Sequence, residues 1–348
     1  MTASDARRPF RLVVLVGLLL VTFAGPAAAD PAGPTNYDSV VTAVEPDDAP
    51  FEVEVLGGDA FLVLHAEPDV RVEVPGYEDE PYVRFEADGT VLVNERSPAR
   101  WLNDARYGEL EVDLPTIADA QAEPVFVVVA DDGTYAWHDH RIHFMSPTLP
   151  AQVDPGAGTP QPVMDWTVPL VVDGQPMAVE GTLRWIPGPS PLVPGLLVVA
   201  ALAAAAAVVV GSPRVAPALA GAGALLALGV ALTKTIGLPA GADAEPMLLV
   251  LPGLTLVLLG VGQLLDRRSA GSDPRAALIA AAAGIPLLVW AVLQLGALTR
   301  PIVPGPLPVG AVRLAVAVTA AAGLASLGTL ARGVLAATSL DPSVDAAR

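Results

Sequence analysis

The 348-residue chain contains no cysteine and a single lysine, Lys234. Without thiols it can form neither a disulfide nor a thiolate metal site, so an exported domain must be held by its core alone, and cysteine catalysis is excluded. Basic charge is scarce where acid is dense: residues 31–190 carry 29 Asp and Glu against 7 Arg, a net of −22, whereas the remainder has 8 acids and 12 bases. A block of that sign repels phosphate backbones and anionic lipid heads, which argues against nucleic acid as a partner and leaves cations as the attracted species. Enzyme signatures are also missing. There is no nucleophile-elbow serine, no phosphate-binding glycine loop, no HExxH helix and no dinucleotide fingerprint. Carboxylate pairs such as Asp131-Asp132 follow from abundance alone, so a non-enzymatic protein is expected.

What is present divides by solvent. Arg7, Arg8 and Arg11 precede an apolar run from Leu12 to Ala24 and the small residues Ala27, Ala28 and Ala29, which predicts a signal peptide over residues 1–29, cut near Ala29. Residues 36–187 read as short alternating segments. Candidate strands are Ser39 to Val44, Phe51 to Leu56, Ala60 to His65, Val70 to Val74, Tyr82 to Phe85, Thr90 to Asn94, Pro124 to Val129, Tyr135 to Met145, Asp165 to Val172 and Met177 to Trp185. Turn signals lie between several of them, at Gly57-Gly58-Asp59, Ala87-Asp88-Gly89, Asp132-Gly133 and Asp173-Gly174. The pattern predicts an all-β, immunoglobulin-like β-sandwich domain outside the cytoplasm, of one lobe or of two joined by the Pro- and Gly-rich stretch 147–162.

Beyond Pro187-Gly188-Pro189 the runs become long and apolar, near the roughly 20 residues that cross a bilayer. Spans are expected at 191–211, 216–237, 246–265, 276–297 and 308–331, an all-α transmembrane bundle within residues 191–332 followed by a tail at 333–348. With the β domain outside, Arg214, Arg267, Arg268, Arg275, Arg332 and Arg348 fall in the cytoplasm and Asp243 and Glu245 fall outside, as the positive-inside rule requires. Arg300 and Arg313 run against it. The expected location is the cell membrane with the C-terminus cytoplasmic. Few ionisable groups lie in the spans, which disfavours a pump, and runs such as Ala201 to Ala207 permit close helix packing.

One stretch stands out chemically. Trp137-His138-Asp139-His140-Arg141-Ile142-His143-Phe144-Met145 holds three of the four histidines. On a strand His138 and His140 share a face, and a bulge before His143 would bring it or Met145 alongside, with His65 as a further candidate ligand. Imidazole with thioether suits copper. The structural reading is that Trp137 and Phe144 pack, Asp139 pairs with Arg141 and the histidines form hydrogen bonds. A second stretch, Arg96 to Tyr107, gathers cations and aromatics; it reads as a structured loop whose arginines meet surrounding carboxylates while Trp101 and Tyr107 plug the sandwich edge, or as a grip for an anionic partner or carbohydrate.

The Trp137-to-His143 motif, with Gly76-Tyr77 to Pro81-Tyr82-Val83-Arg84-Phe85 and Asn94 to Ser97-Pro98-Ala99, resembles an uncharacterised family of exported, membrane-anchored actinobacterial proteins over roughly residues 36–187. The resemblance implies architecture and no activity. The hairpin from Trp166 to Gly181 is faintly similar to the copper-carrier sandwiches of the CopC type, but Gln175 stands where those carriers have a histidine after the Asp-Gly turn. Two functions are therefore expected of the chain. The first is a non-enzymatic envelope protein whose acidic β domain binds an envelope or membrane protein while the helices sit in the lipid bilayer. The alternative is an extracytoplasmic copper-binding protein using His138, His140, His143 and Met145 or His65.

Overall fold

The computed structural model describes residues 31–107, 112–242, 244–269 and 274–338. The expected signal peptide and the last ten residues of the expected tail lie outside the described residues. Among the described residues there are ten strands: β1 (Tyr37–Glu45), β2 (Phe51–Leu56), β3 (Phe61–Ala66), β4 (Val72–Pro75), β5 (Pro81–Phe85), β6 (Val91–Asn94), β7 (Phe126–Ala130), β8 (Thr134–Trp137), β9 (Gln161–Val172) and β10 (Gln175–Trp185). They form a seven-stranded sheet in the order β1-β10-β9-β4-β5-β6-β7 and a three-stranded sheet in the order β2-β3-β8, antiparallel throughout. Two antiparallel sheets were the expectation; the strand orders do not by themselves establish an immunoglobulin-like sandwich. The first and last strands are neighbours, Tyr37 opposite Trp185, and β9 returns to β4 with Val72 opposite Val172. Apolar side chains from both sheets meet in one core that includes Leu62, Leu64, Phe85, Val168, Leu170 and Leu183.

β3 departs from simple alternation: Phe61, Leu62, Val63 and Leu64 are all buried. A strand buried on both faces reads as a continuous apolar run, and here both faces are covered. Leu62 and Leu64 point into the main core, while Phe61 and Val63 pack with Ala136 against Ala32 and Ala242. Ala242 belongs to the connection between two helices, so the smaller sheet lies between the β core and that loop of the helical part.

The strand expected from Tyr135 to Met145 is corrected. β8 ends at Trp137, and the chain turns through a 3-10 helix at His140–Ile142. The stretch from Arg96 to Tyr107 contains a short helix, α1 (Pro98–Leu102), begun by a proline whose missing N–H would be unpaired there in any case. As expected, its arginines meet carboxylates: Arg100 lies 2.7 Å from Asp104, and Arg106 is paired with Asp59.

The C-terminal part holds α2 (Leu192–Gly211), α3 (Ala216–Thr235), α4 (Pro246–Arg268), α5 (Pro274–Ala282), α6 (Gly284–Leu293), α7 (Gly296–Thr299) and α8 (Val309–Thr338). Among the described residues five segments are long and apolar enough to cross a membrane, the fourth running from Arg275 to Leu293 through α5 and α6. A single helix was expected there, but it is interrupted at Ala283. Pro286 has no N–H to offer the carbonyl four residues earlier, and the neighbouring carbonyl of Ala283 instead accepts the Thr255 hydroxyl at 3.1 Å. Small residues form the seams. Ala216, Ala220, Ala224, Ala227 and Ala231 are buried on one face of α3, and Thr319 of α8 reaches the carbonyl of Gly223 at 3.4 Å.

Backbone contacts join the two parts. Thr35 and Ile302 exchange both N–H···O=C bonds, at 3.0 and 3.2 Å. The Ala136 N–H of β8 donates to the carbonyl of Ala240, between α3 and α4, at 2.8 Å. Arg300 adds a bond to the Pro34 carbonyl at 2.6 Å.

Candidate metal centre

β8 is held against β3 with Trp137 opposite Leu62, and the chain leaves the sheet at His138. Asp139 then fixes the path. Its carboxylate accepts the indole N–H of Trp137 at 2.7 Å, the backbone N–H of Arg141 at 3.0 Å, and two guanidinium N–H groups of Arg141 at 2.8 and 2.7 Å. Burial pushes this carboxyl up, but the Arg141 guanidinium and these donors outweigh it and hold Asp139 below the usual carboxylate range. The residue before the turn is thus tied to the residues after it. Tyr77 secures the same bend: its hydroxyl accepts the His140 N–H at 2.8 Å, donates to Asn103 Oδ1 at 2.5 Å, and its ring stacks on the His140 imidazole at 5.5 Å.

The bend brings His138, His140 and His143 together, with one ligand nitrogen from each within 4.8 Å of the others. Ring centroids stand 4.5 Å apart for His138 and His143, 5.3 Å for His140 and His143, and 5.6 Å for His138 and His140. His138 Nδ1 lies 2.5 Å from the carbonyl of Ala60 and His140 Nε2 lies 2.9 Å from that of Ala105. A carbonyl only accepts, so those nitrogens carry the protons. The opposite nitrogens, His138 Nε2 and His140 Nδ1, are left with lone pairs. His138 Nε2 and both nitrogens of His143 are buried without a hydrogen-bond partner. Orphaned polar atoms of that kind are rare in a folded interior and costly to leave unpaired.

The electrostatics keep the imidazoles neutral. Burial, then the neighbouring His140, brings His138 down to about 4. Burial and the neighbouring His138 press His143 far below the ordinary histidine range, and burial lowers His140 as well. Arg106 contributes to the depression of all three. Neutral imidazole is the form that ligates metals, and a ligating histidine characteristically gives its other N–H to a carbonyl or carboxylate. His138 and His140 already have that arrangement.

The other sequence candidates fall elsewhere. Met145 is 38 % exposed and does not share the burial of His138 and His143, at 3 % and 0 %. His65 is exposed on β3 with Nδ1 2.7 Å from Thr134 Oγ1. Its register partner Thr134 lies three residues before Trp137, roughly 10 Å along the strand from the bend. Trp137 and Phe144 do pack and Asp139 does pair with Arg141, so the structural reading of those residues and the gathering of the histidines hold together. Sequence reasoning missed Tyr77 and the Ala60 and Ala105 carbonyls; backbone acceptors have no signature in residue type, and Tyr77 is 61 residues upstream of His138.

No family model matches the chain, and neither a curated protein nor a solved structure does.

Proposed function

We propose that this membrane protein holds a transition-metal ion in its β domain and serves to handle that ion without turning over a substrate. The observation that carries the reading is the convergence of three neutral imidazoles, two of which bond one ring nitrogen to a carbonyl and so keep a lone pair on the other. Imidazole sites suit copper and zinc, and the Irving–Williams order puts Cu(II) ahead of Zn(II) on the same donors. Copper is therefore the first candidate, on its affinity for nitrogen and without help from Met145.

The proposed orientation has the β domain outside the cytoplasm. α2 leaves that domain at Leu192, so Arg214 follows its distant end. Arg332 of α8 reaches the same end, donating to the Val209 and Val210 carbonyls at 2.5 and 2.8 Å. Cations gathered at the end away from the β domain support a cytoplasmic assignment for it. A partner-binding β domain is the second reading. It has the edge strand β7 behind it, where Val128 is 65 % exposed, and it ranks lower because nothing in that edge selects a ligand.

The test is metal titration of the full chain, purified in detergent and stripped with a chelator. One Cu(II) per chain is expected, bound more tightly than Zn(II), and uptake should be lost in the His138→Ala, His143→Ala double variant. Failure of the wild type to take up either ion tightly would overturn the reading.

A further inference from the structure

We infer that Asp59 is a fourth, exchangeable ligand of the metal centre, one that gives up Arg106 when the ion arrives; this rests on the three-imidazole reading above. Asp59 closes the turn between β2 and β3. The next residue is Ala60, whose carbonyl holds His138 Nδ1. Asp59, His138 and Arg106 also line one cleft of about 440 Å³, together with Tyr107 and Arg300, at the seam between the β domain and the outer helix loops.

The state of this carboxylate is unusual. Asp59 is 0 % exposed; Arg106 pairs with Oδ2 and the Thr35 hydroxyl is a further donor to the carboxylate, but Oδ1 is buried with no hydrogen-bond partner. A buried ion pair recovers its desolvation cost only when the remaining lone pairs are also satisfied. This one is not.

Charge balance points the same way. Three neutral imidazoles bring no compensation for a divalent cation, and Arg106 already places a positive charge near all three. The buried carboxylate of Asp139 is fully engaged by Trp137 and Arg141. Among the described residues Asp59 is the other wholly buried carboxylate next to a residue that holds the site, and it retains an unused oxygen. Three imidazoles also leave one position open in a tetrahedral set. Asp59 stands outside the present group of three nitrogens, so filling that position requires its carboxylate to turn away from Arg106. The guanidinium side chain is 22 % exposed and has the cleft to withdraw into.

The experiment uses the full chain in detergent, with Zn(II) for affinity and Co(II) for its visible absorption, which reports the ligand set. Asp59→Asn should weaken Zn(II) binding by about 10–100-fold, the loss typical of perturbing a metal site's supporting shell taken as a lower bound, and should change the Co(II) bands. The Asp59→Asn, Arg106→Gln double variant removes both charges together and leaves no unpaired guanidinium. If Asp59 only neutralises Arg106, the double variant regains wild-type affinity and spectrum, and the inference is overturned. If Asp59 is a ligand, binding stays weak and the bands stay altered. Should the single variant fail to fold, the double variant carries the test alone. Wild-type protein that takes up no metal sinks the three-imidazole reading and this inference with it. If wild type binds, His143→Ala does not, and both Asp59 variants bind like wild type, the inference falls and the site stands.

Discussion

Asp139 concentrates its acceptor capacity on the residues at either side of it, and the three imidazoles inherit their geometry from that. The arrangement has a pH signature. His138 titrates near 6.5 in the unfolded chain and at about 4 in the folded one, so between those limits the unfolded state holds the extra proton. Stability that is fully present above about 6.5 is lost as pH falls toward 4, and His143, displaced further in the same direction, prolongs the trend. Thermal unfolding of metal-free full chain in detergent should therefore show a midpoint that drops steadily over that interval. A midpoint indifferent to pH there would mean the imidazoles are not buried in neutral form. The motif's residue types made these histidines legible in sequence, but their convergence was not. A strand places His138 and His140 on one face and His143 on the other, whereas the turn that gathers all three depends on Asp139 bonding to Trp137 and Arg141, and on Tyr77 from a distant segment. Long-range partners of that kind leave no spacing to read.

At the scale of elements, periodicity and length performed well because the solvents differ so sharply. Short apolar segments between turn signals marked the neighbourhood of each of the ten described strands, and apolar length marked the five described spans. The errors fall where tertiary contacts override local pattern. β8 is shorter than its apolar and aromatic stretch suggests, because the chain must leave the sheet to make the bend. The fourth span is interrupted at Ala283, where Pro286 offers no N–H to the Ala282 carbonyl, and Thr255 of α4 bonds the adjacent Ala283 carbonyl. The connection between α3 and α4 acts almost as a further strand on β8, and Gly241 is the residue that lets it approach. It sits at φ +87°, and a Cβ there would run into the Ala136 carbonyl and the Tyr135 ring. Gly241→Ala should lift this loop from β8 and cost about 1–3 kcal/mol, the scale of a lost buried hydrogen bond. Thermal unfolding would register the loss, and hydrogen exchange at the Ala136 amide should accelerate. Unchanged protection at Ala136 would show that the loop does not depend on that glycine.

At the scale of the whole molecule the absence of cysteine becomes a tool. A single introduced thiol is the only one in the chain, so its labelling is unambiguous. Asp48→Cys, exposed between β1 and β2, should react in intact cells with a maleimide that cannot cross membranes, whereas Arg268→Cys, at the end of α4, should react only after permeabilisation. The opposite pattern would put the β domain in the cytosol and remove the proposed orientation. The boundary near Pro189 was legible because composition changes abruptly there. The seating of one part on the other was not, since it runs through backbone groups of Thr35, Ile302, Ala136 and Ala240.

That seating sets a limit on dissection. A soluble truncation ending at Pro189 would retain every strand, yet β8 would lose the acceptor for its Ala136 amide, and the apolar underside formed by Phe61 and Val63 would lose Ala242. Such a fragment carries a raw margin right beside the histidine bend, prone to stick to its own copies. Affinities taken from it would describe a damaged neighbourhood, and the intact chain in a lipid mimic is the smallest unit in which the proposed metal site keeps its native surroundings.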